Sequence, residues 1–165
     1  MINPKLYSLL KVAETGGFTR AAEQLSLTQP AVSQHIHSLE SELNVKIFDR
    51  CGNELHVTHE GETVIKYAKR MLALYHNLER DLESDKNQIR FLTVGITHTA
   101  ESNPIAEALA KYVNSRDGVT IKIITDTISN LYDMLKNYEL DFAIVEGRLN
   151  DPSLKHLMLD TDCLV

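Results

Sequence analysis

Through the first half of the chain the apolar positions recur at helical spacing, broken by short polar turns. Leu6, Leu9, Leu10 and Ala13 follow the i, i+3, i+4, i+7 rule of a helix with one buried face. Asn3 caps that helix, Pro4 takes its first position, where a missing N–H costs nothing, and Gly16-Gly17 stops it. Phe18 fills the gap to a second short helix, capped by Thr19, whose Ala21, Ala22 and Leu25 offer a small apolar face. Ser26-Leu27 makes a turn. Thr28 then stands at an N-cap, with Pro30 inside the first turn of a third helix. Val32, Ile36, Leu39 and Leu43 fall on one stripe of it, while Pro30, Ser33, Gln34 and His37, with Gln29 at the edge, lie opposite. The pattern predicts a trihelical unit closed around Leu9, Phe18, Leu25, Val32 and Ile36.

Asn44 ends the third helix. In VKIFDRCGNELHVTHEG, Val45, Ile47, Phe48, Leu55 and Val57 are strand-like and Gly52-Asn53 is a turn signal, so a two-stranded wing is expected. Thr58 caps a long helix, with Glu60 in its favoured first turn. Val64, Ala68, Met71, Tyr75, Leu78 and Leu82 recur at alternating steps of four and three, joined by Ile65 and Leu72. That is an a/d seam, which needs a partner helix. The charged stretch LESDKNQ reads as a linker. Beyond it RFLTVGIT, Val119–Thr125 and 141–145 are strand-like, while 104–113 and 131–138 carry helical spacing. Strand, helix, strand, helix, strand opens an α/β domain with a parallel sheet. HLMLDTDCLV reads as one more strand.

Composition changes this picture at three points. A chain of 165 residues, 43% hydrophobic, has material for a small domain and part of another. No signal-peptide pattern and no membrane-length apolar run is visible, and Cys51 and Cys163 are too few and too separate for a disulfide framework; a cytoplasmic protein is expected. His56 and His59 have a ligand-like spacing without a third ligand nearby, so neither a metal nor another cofactor is expected. Charge cuts the other way. The net charge is −6, residues 1–60 carry five Lys/Arg against seven Asp/Glu, and the third helix has no Lys or Arg. Nucleic-acid binders draw much of their affinity from phosphate neutralisation. Here such binding has to rest on the placement of Lys5, Lys11, Arg20, Lys46 and Arg50, on backbone and hydroxyl contacts, and on doubling through a dimer.

A helix buried on one side and offering amides and hydroxyls near its N-terminus on the other suits a DNA major groove. Gln pairs with adenine edges, Ser with bases or phosphates, and the free N–H groups of the helix start take a phosphate. An ordinary amphipathic hairpin with a solvated outer face fits the same periodicity. A resemblance separates the two. FTRAAEQLSLTQPAVSQHIHSLESELNVKIFDR resembles the N-terminal signature of the LysR-type transcriptional regulators at Phe18, Ala21-Ala22, Leu25, Thr28-Gln29-Pro30-Ala31-Val32-Ser33, Ile36, Leu39-Glu40, Leu43, Phe48 and Arg50. LTVGITHTA and LKNYELDFAIVEG resemble segments of the family's effector-binding domain, which is related to periplasmic binding proteins. The resemblance implies an α+β chain: a winged helix-turn-helix over 1–60, a linker helix for antiparallel dimerisation over 61–88, and the first part of a two-lobed, periplasmic-binding-protein-like effector domain over 89–165, truncated at Val165. It also implies promoter DNA read by a dimer or tetramer. Thr19, Arg20, Thr28, Gln29, Pro30, Ser33, Gln34 and His37 would make the contacts, with Arg50 and Thr58 on the wing side.

In open α/β sheets ligands sit beyond the carboxyl ends of the strands. Those positions hold Thr97, His98 and Thr99, then Thr125, Asp126, Thr127 and Ser129, then Glu146 and Gly147. By resemblance Thr97 and Thr99 fall on the ligand loop for a small co-inducer, with His98 between them and Thr127 on the second loop. TDTIS departs from the family's Gly-Asn-Ser/Thr pattern, and Thr or Ser after a strand equally well caps the next helix. No phosphate-binding glycine loop, nucleophile elbow or paired metal motif is present, so the chain is not expected to be an enzyme. The competing function is an interaction protein: a truncated regulator that pairs its linker helix with a full-length relative and senses no effector itself.

Overall fold

A computed structural model of the chain describes residues 3–51, 54–87, 90–98, 104–147 and 151–158. Helix α1 spans Pro4–Thr15. The Asn3 side chain accepts the Lys5 N–H at 3.1 Å, and Gly16, at φ 65°, returns its own N–H to the Val12 carbonyl. Helix α2 spans Phe18–Leu25 and starts earlier than expected. Its N-cap is Gly17, without a side-chain bond, and Thr19 sits inside the first turn rather than capping it. The glycine pair reverses the chain so quickly that Phe18 is already helical. Helix α3, Gln29–Leu43, keeps its expected start: the Thr28 hydroxyl accepts the Ala31 N–H at 3.3 Å.

The wing consists of β1, Phe48–Cys51, and β2, Glu54–Val57, paired antiparallel from Phe48↔Val57 to Cys51↔Glu54. Val45 and Ile47, expected to be strand, instead pack in or against the core, with Ile47 fully buried. The physical reason is Glu40. Its backbone carbonyl accepts the Val45 N–H at 3.1 Å and its carboxylate accepts the N–H groups of Ile47 (2.9 Å) and Phe48 (3.4 Å), so the strand ladder begins only at Phe48. The Gly52-Asn53 turn and the Cys51 side chain lie outside the described residues.

Helix α4, His59–Asn87, begins within the winged unit. The Thr58 hydroxyl donates to the Lys46 carbonyl at 2.5 Å and accepts the Gly61 N–H at 2.9 Å. The first half of α4 then completes the trihelical core. Ala68 is fully buried in that core, Leu72 is buried in it as well, and Val64 and Ile65 pack against it. Val64 and Ala68, expected on an intermolecular seam, are therefore spent within their own chain. The apolar residues left in solvent are Tyr67, Met71, Leu74, Leu78 and Leu82, each 49–56% exposed, with Tyr75 half-buried beside them.

The α/β part contains β3 (Arg90–Ile96), α5 (Pro104–Asn114), β4 (Val119–Thr125), α6 (Ile128–Lys136) and β5 (Phe142–Ile144). All pairs are parallel and the order is β4-β3-β5, so the chain leaves β3 to one side and returns on the other. Gly95 on β3 allows α6 to approach closely, since a Cβ there would strike Leu131 and Leu140. Helix α6 begins before the expected 131 because the Thr127 hydroxyl accepts the Asn130 N–H at 3.4 Å. It ends before Tyr138, which takes φ 62°. Residues 156–158 form no strand, and 159–165, with Cys163, lie outside the described residues.

Gly61 is the tightest point of the winged unit: a Cβ there would fall inside contact distance of the Ile47 carbonyl oxygen. Thr58 holds that oxygen through its own N–H at 3.0 Å, so it cannot retreat. Gly61→Ala is expected to lower stability by about 1–3 kcal/mol, the usual cost of overpacking, measured by urea unfolding.

Candidate nucleic-acid interface

The outer face of α3 is held in rotation by polar ties to α1. The fully buried Ser8 hydroxyl lies 2.7 Å from His35 Nδ1, and Lys5 Nζ donates to Ser38 Oγ at 2.7 Å. With Val32, Ile36 and Leu39 buried, Gln29, Pro30, Gln34 and His37 stand exposed and Ser33 half-exposed. Thr28 is exposed as well, although its hydroxyl oxygen is engaged as the cap.

Arg50 completes the face. Its guanidinium lies over the Phe18 ring, 5.9 Å from the centroid, and that ring meets Phe48 edge-on at 6.1 Å. Arg50 therefore rests on a side chain rooted in the core. It borders two adjoining grooves, one lined also by Phe18, Ser33, His37 and Phe48, the other by Gly16, Gly17, Thr19, Gln29 and Glu54. The structure thus brings Thr19, Gln29, Ser33, His37 and Arg50 together. Arg20 is exposed, with its guanidinium over the Gly16-Gly17 turn. The start of α2 has no side-chain cap, which leaves its first N–H groups open to an anion. Thr58 does not join this face. It is half-buried, and its hydroxyl is engaged with Lys46, Ile47 and Gly61, so it braces the wing instead of reaching outward.

Ion pairing sorts the five cations of the winged unit. Lys5 pairs with Glu42, Lys11 with Glu14 at 2.6 Å and Lys46 with Glu40 at 3.1 Å. Among the described residues Arg20 and Arg50 have no ion pair. Asp49 accepts the Arg50 backbone N–H, and Glu54 faces His56 at 3.4 Å. The two free guanidiniums are on the helix-start and wing side of α3.

The second candidate site is the carboxyl edge of the sheet. With β3 between β4 and β5, that edge is a topological switch point, where ligands bind in open α/β folds. Thr97, buried, donates its N–H to the Ile144 carbonyl at 3.4 Å, and the Asp126 N–H reaches the Ile96 carbonyl at 3.1 Å. His98 is exposed. The Thr127 N–H and the Asn130 side chain, with a smaller contribution from His98, hold the Asp126 carboxyl below its ordinary range. Thr127 is the α6 cap described above. Thr99 lies outside the described residues. Among those described, no group of three His, Cys, Asp or Glu is placed to hold a metal ion, and no helix is long and apolar enough to cross a membrane.

Residues 5–62 match the bacterial regulatory helix-turn-helix proteins of the lysR family, and residues 88–165 match the LysR substrate binding domain. The chain belongs to the LysR family. A probable RuBisCO transcriptional regulator of Cyanidium caldarium is 30% identical to this LysR-family chain over 135 residues, 81% of the chain and 43% of that protein. Full-length OxyR from Pseudomonas aeruginosa superposes with a TM-score of 0.58 at 25% identity, covering 92% of this chain and 51% of that one. Full-length CbnR, in complex with its target DNA, gives a TM-score of 0.68 at 21% identity, over 85% and 48% of the two chains, and shows the shared fold. The LysR-family chain spans about half the length of the curated relatives it matches.

Sequence reasoning did not single out Glu40 as the link between α3 and the wing. Burial raises its pKa, but the Ile47 N–H, Lys46 and the Phe48 N–H together bring it below the ordinary glutamate value. A folded pKa below the unfolded one adds stability that is complete above the unfolded value and lost as pH falls through the folded one. Glu40→Gln is therefore expected to cost about 1–3 kcal/mol at neutral pH, the penalty for losing charge-assisted hydrogen bonds. Its deficit relative to wild type should shrink on acidification below the glutamate range, as measured by denaturant unfolding across pH.

Proposed function

We propose that this chain is a DNA-binding transcriptional regulator of LysR type, acting in the cytoplasm on promoter DNA as a dimer or a tetramer of dimerised chains. Helix α3 enters the major groove, where Gln29, Pro30, Ser33, Gln34 and His37 meet base edges. Arg50 follows the wing toward the minor groove, and Thr19, Arg20 and the α2 start take backbone phosphates. The observation that carries this reading is the sorting of charge: the two winged-unit cations without an ion pair flank the face of α3 that is left exposed.

The exposed stripe Tyr67, Met71, Leu74, Leu78 and Leu82 supports pairing of two α4 helices, as its steps of four, three, four and four keep it on one helical face. The sheet edge at Thr97, His98 and Thr127 supports a small polar effector. Asp126, ionised there, favours a ligand that brings hydrogen-bond donors to it.

The test is fluorescence anisotropy with a labelled duplex from just upstream of the chain's own gene, against a scrambled duplex and across a salt titration. Arg50→Ala is expected to weaken binding about tenfold and to reduce the salt slope by about one. Gln34→Ala should cost the target about 1–3 kcal/mol and leave the scrambled duplex nearly unchanged. Equal binding to both duplexes at low salt would count against operator reading by this chain and favour the interaction-protein alternative. For the seam, Leu78→Glu is expected to shift the chain toward monomer in sedimentation, with the unfolding midpoint of the winged unit unchanged.

A further inference from the structure

Helix α4 carries a second stripe besides the apolar one. Arg70, Ala73, Asn77, Arg80 and Ser84, at steps of three and four, are all half-buried, and none is a large apolar residue. This stripe faces the α/β domain. Arg70 Nε donates to Asn137 Oδ1 at 3.3 Å, and Asn77 Nδ2 donates to the carbonyl of Tyr138 at 3.1 Å. Arg80 donates through Nη1 to Thr93 Oγ1 and through Nη2 to Asp141 Oδ1, both at 3.2 Å. Asp141 then ties this contact into the sheet, because its other oxygen accepts the Thr93 N–H at 2.6 Å and its own N–H donates to the Thr93 carbonyl at 2.9 Å.

We infer that Arg80 and Asp141 form an electrostatic latch that docks the α/β domain on the linker helix and can open. Three observations support an opening contact rather than a permanent core. The ties across the seam given above are hydrogen bonds and one ion pair, and no large apolar residue of α4 lies on this stripe, whereas domains that stay fixed to one another share a large apolar interface. Arg80 Nε is buried without a hydrogen-bond partner, so the closed seam leaves one donor of a desolvated guanidinium unmet. Tyr138, which supplies a carbonyl to the seam, holds a left-handed φ that a tyrosine rarely adopts. Thr93 is the middle residue of β3 and Thr97 follows its end, so the latch sits half a strand from the sheet edge discussed above. The latch itself does not depend on what binds there.

Amide hydrogen exchange on the full chain tests it, comparing wild type, Arg80→Met and Arg80→Lys. Peptides over 70–84, 90–96 and 137–144 are read against 4–43 as an internal standard. Arg80→Met should raise exchange in the helix and the sheet peptides together, by about tenfold, as one opening unit. Arg80→Lys, which keeps the charge but loses the fork, should fall between the two. Moving wild type from about 0.1 M to about 1 M sodium chloride, which shortens the Debye length from about 10 Å to about 3 Å, should reproduce part of the rise, and Arg80→Met should show none of this salt response. A rise confined to the sheet peptides would reduce Arg80 to a local brace and overturn the latch. So would wild-type exchange that ignores salt, including the case in which Arg80→Met loosens 4–43 as well.

Discussion

The winged unit depends on the backbone of residues 46–48, which is gripped from both sides. Glu40 takes the N–H groups of Ile47 and Phe48, while Thr58 holds the carbonyls of Lys46 and Ile47 through its hydroxyl and its N–H. Gly61 lets α4 come down on the same carbonyl. One short stretch thereby joins the end of α3, the root of the wing and the start of α4. The side chain of Glu40 is 11% exposed, and an ionised acid at that depth is tolerable only because three donors meet it. Arg50 inherits its place from this hub, since Phe48 opens the strand that carries it and also packs on the ring beneath it.

The acidic composition is easier to understand once the pairs are assigned. Glu40, half-buried, and Glu42, exposed, tie α3 to the wing and to α1, and they neutralise Lys46 and Lys5 on the way. What remains for a polyanion among the five cations of the winged unit is two arginines, Arg20 and Arg50. Non-specific DNA affinity grows with the number of phosphates neutralised, so a winged unit with two free cations has a low background. On the proposed reading, discrimination then falls to the uncharged face of α3, and doubling through α4 supplies what one protomer lacks.

Much of this was legible because the cues are local. Asn3 and Thr28 cap the helices that follow them, and Gly16 ends α1, each through bonds within a few residues. The parallel sheet followed from alternating element types. The misses are tertiary. Periodicity placed Val64 and Ala68 on a seam but could not say that the partner was the same chain's core, which left Tyr67 and Leu74 to take their places outside. Val45 and Ile47 have strand-forming side chains, yet Glu40 claims the N–H groups. A signal for Glu40 did exist. An acid in the last turn of a helix opposes the helix dipole, and such a local conflict marks a residue recruited by something farther away. Thr58 and the candidate effector residues show the opposite limit, for a hydroxyl at a helix start reads alike whether it caps, braces or binds.

Helix α4 now has three distinct joints, and they differ in stiffness. Its start is locked into the hub and the core by Ala68 and Leu72, where no rotation is possible without opening a cavity. Its apolar stripe, once paired, resists sliding because each exposed leucine would have to leave one hole before entering the next. Its polar stripe has no such barrier. The hydrogen bonds that cross it exchange readily for bonds to water. If the proposed latch opens, the α/β domain reorients relative to the winged unit at Arg70, Asn77 and Arg80, with the helix as a rigid arm. On the proposed reading, a signal arising at the sheet edge would pass to α3 along that arm, and an opening seam would then serve regulation rather than mark a defect in packing.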